Sequence, residues 1–130
     1  MNLESQKKTV NKSSKELYDL LTNVENFKKI MPSSIEKFEA DENSFVFGLK
    51  GMPEIRLVLK EKDPYHTIVL GAASSKLPTI TLTAKIEELN DSQSTIQLFF
   101  EGDFNPMMAM MLKGSLSKFI DTLSENMVNL

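Results

Sequence analysis

Apolar residues recur at every second position through the middle of this chain, and at helical spacing only towards its two ends. Phe45, Phe47 and Leu49 alternate with Ser44, Val46 and Gly48; Ile55, Leu57 and Leu59 alternate with Glu54, Arg56, Val58 and Lys60. Ile68, Leu70 and Ala72 follow, then Ile80, Leu82, Ala84 and Ile86 against Thr79, Thr81, Thr83 and Lys85. Ile96, Leu98 and Phe100 close the series against Thr95, Gln97 and Phe99. Period-two alternation over so many short runs predicts an antiparallel sheet with one buried face. The same parity turns Arg56 outward and leaves Phe99 on the wrong face, marking a bulge or an exposed patch.

Helical spacing appears on either side. Asn2 to Asn11 reads as a half-polar first strand near a sheet edge, and Ser13 with Glu16 has the spacing of a capping box. Leu17, Leu20, Leu21 and Val24 then form one apolar stripe. A second short helix carries Phe27, Ile30 and Met31, and Pro32 ends it. Near the C-terminus, Asn105 is placed as an N-cap and Pro106 as the first helical residue. A helix from there to about Asn129 would be roughly 36 Å long. Its core stripe is Ala109, Leu112, Leu116, Phe119, Ile120, Leu123 and Met127. An α+β fold follows: a curved antiparallel sheet of about seven strands wrapped around a long C-terminal helix. The two short helices, between strands one and two, plug one end.

The turns of such a meander alternate between two ends. One set, Ala40 to Ser44, Glu61 to His66 and Leu89 to Ser94, is ordinary solvated turn sequence. The other set runs Leu49 to Glu54, Ala72 to Thr79 and Gly102 to Met108. Met52, Leu77, Phe104 and Met107 are out of place in plain solvated turns, so this end reads as the mouth of an apolar site. The run Met107 to Met111 strengthens the reading, because consecutive apolar residues on a helix cannot all face a sheet. Met adapts to irregular ligands, which suits a cavity lining; core packing and a partner surface are the alternatives.

Composition narrows the chemistry. A chain of 130 residues is expected to form one domain, residues 1–130. A net charge of −3, with 14 lysines scattered and Arg56 the sole arginine, argues against nucleic acid as a partner. The absence of cysteine excludes disulfides, thiolate nucleophiles and Cys-based metal sites. No run is long enough for stable membrane insertion and no signal-peptide stretch is evident, so a cytoplasmic protein is the default expectation. Neither a metal nor a cofactor is expected. His66, the sole histidine, sits in a turn at the polar end without a partner and reads as surface rather than catalytic. Ser74, Ser75, Lys76, Thr79, Asp103 and Asn105 could orient a polar head group at the mouth, or simply be turn residues.

The order strand, two short helices, six strands, long helix resembles the START-like superfamily, the polyketide cyclase/dehydratase and lipid-transport (SRPBCC) group that includes the major birch pollen allergen. Val10, Ser13 or Ser14, Glu16, Tyr18, Leu21, Asn23, Phe27, Met31 and Pro32 occupy the places of the family's opening pattern. The resemblance implies a helix-grip fold with a cavity between sheet and C-terminal helix, often holding a lipid, sterol, quinone or polyketide-like molecule. It also implies a mouth where the loops after the third, fifth and seventh strands meet that helix. Expected ligand contacts are Met107, Met108, Met111 and Leu112 on the helix side, with Met52 and Leu77 as gates. Phe45, Phe47, Leu57, Leu70, Leu82, Leu98 and Phe100 are core residues that would line any unfilled volume. Binding or carriage of a small hydrophobic molecule is the first functional expectation. A protein-interaction module, a homodimer included, is the second. Cyclase or dehydratase members of the group place acid–base side chains in the cavity, and no counterparts can be assigned here.

Overall fold

The computed structural model describes residues 1–49, 54–72 and 80–130. Along the chain these form β1 (Asn2–Glu4), β2 (Lys8–Val10), α1 (Ser14–Thr22), a 3-10 helix (Val24–Ile30), β3 (Ile35–Ala40) and β4 (Ser44–Leu49). There follow β5 (Ile55–Asp63), β6 (Thr67–Ala72), β7 (Ile80–Asn90), β8 (Gln93–Gly102) and α2 (Pro106–Met127). The sheet order is β1-β8-β7-β6-β5-β4-β3, with β2 also on β8, and every pairing is antiparallel. Because β1 and β2 lie end to end along β8, the sheet has seven strand positions and curls around α2.

The expected first strand is broken in two at a specific residue. Ser5 is buried, its backbone N–H donates to the Leu98 carbonyl, and its Oγ accepts from the Leu98 N–H, each at 2.9 Å. A side chain thus takes over one ladder bond, and regular pairing resumes only at Lys8. Two hairpins also reach further than the turn composition suggests. β5 continues to Asp63 and β7 to Asn90, so Glu61 to Asp63, Leu89 and Asn90 are solvent-exposed strand rather than turn. Backbone pairing there needs no buried face.

Cross-strand register lines up the apolar alternation as the parity rule requires. Leu59 pairs with Leu70, Leu70 with Leu82, Leu82 with Phe100 and Phe100 with Leu3. From the other side α2 contributes Leu116, Phe119, Ile120, Leu123 and Met127, all essentially excluded from water. Each such side chain stabilises the fold by roughly 1.5–3 kcal/mol. β4 departs from simple alternation: Val46, expected outside, is also buried, between Glu39 and Arg56 in register. Phe99 stays on the outer face as parity requires, half-buried under the Lys85 ammonium, whose Nζ lies 4.9 Å from the ring centroid.

Of the two end-plugging helices, α1 is capped as the sequence predicts. Ser13 Oγ accepts from Glu16 N–H at 3.1 Å, and the Glu16 carboxylate accepts from Ser13 N–H at 3.3 Å. Asn26 Nδ2 donates to the Leu20 carbonyl, an orphan of the last turn of α1, and Asn126 Nδ2 donates to the Ile30 carbonyl. The second contact ties the C-terminal end of α2 to the 3-10 helix. Tyr65 of the β5–β6 turn, with φ of 69°, packs edge-on against Tyr18 of α1 at 5.5 Å. The solvated turns and the short helices therefore share one end of the molecule, and the N-terminus of α2 lies at the other.

Candidate functional site

Four residues of α2, Ser115, Lys118, Phe119 and Thr122, stand at i, i+3, i+4 and i+7 and so share one helix face. That face looks across a groove of about 160 Å³ towards Pro32, Ser34 and Leu49. Local sequence explains the opposite wall. Pro32 follows the 3-10 helix, Met31 before it is extended with ψ of 147°, and the Ile35 N–H donates to the Pro32 carbonyl at 3.1 Å. The turn is thereby fixed with Ser34 at the rim. Leu49 is the last inward residue of β4 and only partly covered.

The floor is aromatic. The Phe119 ring stacks on Phe47 with centroids 4.9 Å apart and planes 8° from parallel. Behind it Phe47 meets Phe45 at 5.9 Å, and Phe45 stacks on Phe27 at 4.8 Å and on Phe38 at 5.4 Å. This continuous set of rings joins the 3-10 helix, β3, β4 and α2, so the floor is rigidly held. Among the described residues the rim is polar, with three hydroxyls and one ammonium, and none of its lining residues is a carboxylate. Lys118 forms no ion pair among the described residues.

The expected ligand contacts divide into three groups. Phe45, Phe47, Leu57, Leu70, Leu82, Leu98 and Phe100 are all fully buried members of one core cluster, and Phe47 backs the groove through Phe119. On α2, Leu112 is buried and Met108 half-buried against the core, whereas Met107, Met110 and Met111 are 74%, 86% and 73% exposed. The methionine run does spread around the helix, and its larger part faces water. Met52 and Leu77, with Ser74, Ser75, Lys76 and Thr79, lie outside the described residues. Of the residues expected at the mouth, Asn105 caps α2 by accepting from the Met108 N–H at 2.9 Å. Phe104 folds back over Gly102, where a Cβ would stand 2.9 Å from the ring's Cδ2, so only glycine admits that approach.

Pro32, Ser34, Ser115, Lys118 and Thr122 were not among the expected site residues. The available signal was the polar row Ser115, Lys118, Thr122 running beside the apolar stripe of α2. A solvated helix face has the same appearance in sequence, and only the position of the Pro32 turn distinguishes them. Acid–base chemistry finds no support in this groove. Among the described residues, the two side chains with shifted pKa both lie at the turn end: burial chiefly raises that of Tyr18, with Asp19 and Asp63 adding to it, and the Ser44 hydroxyl chiefly lowers that of Asp41. His66 is exposed in its turn, and no grouping of His, Asp and Glu among the described residues could hold a metal ion. No helix among the described residues is long and apolar enough to cross a membrane.

Several solved structures share this architecture. Norcoclaurine synthase of Thalictrum flavum, in complex with a transition-state analogue, superposes with a TM-score of 0.69 over 99% of this chain and 94% of that one, at 12% identity. The chain has the same fold as that protein. A Thermus thermophilus protein gives a TM-score of 0.72 at 11% identity, covering 99% and 95% of the two chains. A conserved protein from Geobacillus kaustophilus gives 0.70 at 12% identity, covering 99% and 93%. No family model matches the sequence, and no curated protein matches it. At these identities the likeness establishes the fold alone, an antiparallel sheet curled around a long C-terminal helix.

Proposed function

We propose that this protein binds or carries a small hydrophobic molecule between its sheet and its C-terminal helix. The observation that carries the reading is the groove at Phe119: a stacked aromatic floor, an apolar wall of Pro32 and Leu49, and a polar rim. Apolar surface with a few convergent polar groups is the usual make-up of a small-molecule site. A structure of norcoclaurine synthase holds dopamine and hydroxybenzaldehyde, so the shared fold can take small aromatic molecules. Affinity would come from apolar contact, about 25 cal/mol per Å² of ligand surface buried before ordering costs. Met108 and Leu112 would flank the route in from the α2 N-terminus.

Ser115→Trp tests the reading, because Ser115 is exposed on the rim and a Trp there fills the groove without disturbing the core. Saturable binding of an environment-sensitive apolar dye should fall at least about tenfold while the melting temperature holds. Unchanged affinity in the folded variant would overturn the groove as the site.

A second reading has its own observation, the exposure of Met107, Met110 and Met111 on one end of α2. Exposed apolar clusters of this kind serve as partner or dimer surfaces. Met110→Glu would then lower the mass measured by light scattering, and would leave dye binding unaltered.

A further inference from the structure

Among the described residues, the groove's rim carries one sign of charge. Lys118 lies there with the hydroxyls of Ser34, Ser115 and Thr122, while no Asp or Glu lines the groove and none pairs with Lys118 among the described residues. Along α2 itself, Pro106 to Ile120 contains Lys113 and Lys118 but no acidic residue, in a chain whose net charge is −3. An ammonium left without a counter-ion beside hydroxyl donors is complementary to an anionic oxygen pair. Below the rim, the Phe119 ring, backed by Phe47, and the side of Leu49 offer an apolar surface that suits a flat ring rather than a branched chain. The volume limits its size: a cavity of about 150 Å³ takes one benzene-sized ring, and this groove offers about 160 Å³.

We infer that the groove selects a single-ring aromatic carboxylate, the ring lying against Phe119 and the carboxylate on Lys118 with the rim hydroxyls. This rests on the groove reading of function above and adds to it the ligand's charge and size. Lys118 would be the specificity-determining residue, since the apolar floor alone does not distinguish an acid from its neutral isostere.

Sodium benzoate, benzyl alcohol and benzylamine, titrated while amide NMR shifts are followed, separate the possibilities. Benzoate should shift the amides around Leu49 and Ser115 to Thr122 saturably and bind about tenfold more tightly than benzyl alcohol. Benzylamine should bind worst. Lys118→Met, which keeps the aliphatic stem, should bring benzoate down to the level of benzyl alcohol. Equal binding of benzoate and benzyl alcohol, insensitive to Lys118→Met, would overturn the carboxylate assignment and leave the groove standing as an apolar site. Failure of all three to shift the groove amides at any soluble concentration would overturn the proposal and the groove reading together.

Discussion

Asp41, in the β3–β4 turn, gathers four hydrogen bonds on its carboxylate. Its Oδ1 accepts from Asn43 N–H, Ser44 N–H and Ser44 Oγ at 3.3, 3.0 and 2.7 Å, and its Oδ2 accepts from Arg56 Nη1 at 3.2 Å. The Ser44 hydroxyl chiefly, then the two backbone donors and the guanidinium, hold the carboxyl below its ordinary value against a partial desolvation that opposes them. A carboxyl whose folded pKa lies below its unfolded one stabilises fully above the unfolded value, near 4, and progressively less as pH falls through the folded one. Asp41→Asn retains the acceptor oxygen and loses the charge. Denaturant titrations should therefore show the wild type ahead of this variant at pH 7, with the gap narrowing by pH 3. A gap independent of pH would mean that the carboxylate's charge plays no part. Arg56 was readable from parity as an outward residue; that it braces this turn was not, because its partner lies 15 positions away across a strand pair.

Among the elements, α2 is the one with two jobs, and its two halves differ. Its C-terminal half buries Leu116, Phe119, Ile120, Leu123 and Met127, while its first turns leave Met107, Met110 and Met111 in water. Gly114 stands between them on the exposed face, where a Cβ would meet nothing within 4 Å. A helix-interior glycine with open space costs about 1 kcal/mol relative to alanine. Gly114→Ala should accordingly raise the unfolding free energy by about 1 kcal/mol, read by chemical denaturation. No gain, or a loss, would show that this position must bend or be closely approached by something else. The helix itself was plain in the sequence, from the Asn105–Pro106 start to the core stripe, because capping and period are local properties. The split of the first strand at Ser5 was not, since a serine replacing one ladder bond looks like any polar residue of an edge strand.

Across the whole molecule, the expectation of a sheet wrapped around one helix came from a single argument: each owned one apolar surface that had to be covered. The segregation of polar turns and short helices to one end follows from the same alternation. The location of the described groove did not follow, because it depends on how the Pro32 turn meets the middle of α2. Nothing in residue periodicity specifies that approach. Expected core contacts such as Leu57, Leu70, Leu82 and Leu98 are packed against one another, and the site that can be built from described residues sits at the flank of that core.

Native mass spectrometry of the gently purified protein, repeated after extraction with organic solvent, addresses the central claim directly. A monomer carrying one small hydrophobic adduct that solvent removes is the predicted result, and the adduct's mass would name its class. A ligand-free dimer that Met110→Glu splits into monomers would contradict the account, and would assign the apolar end of α2 to protein contact instead.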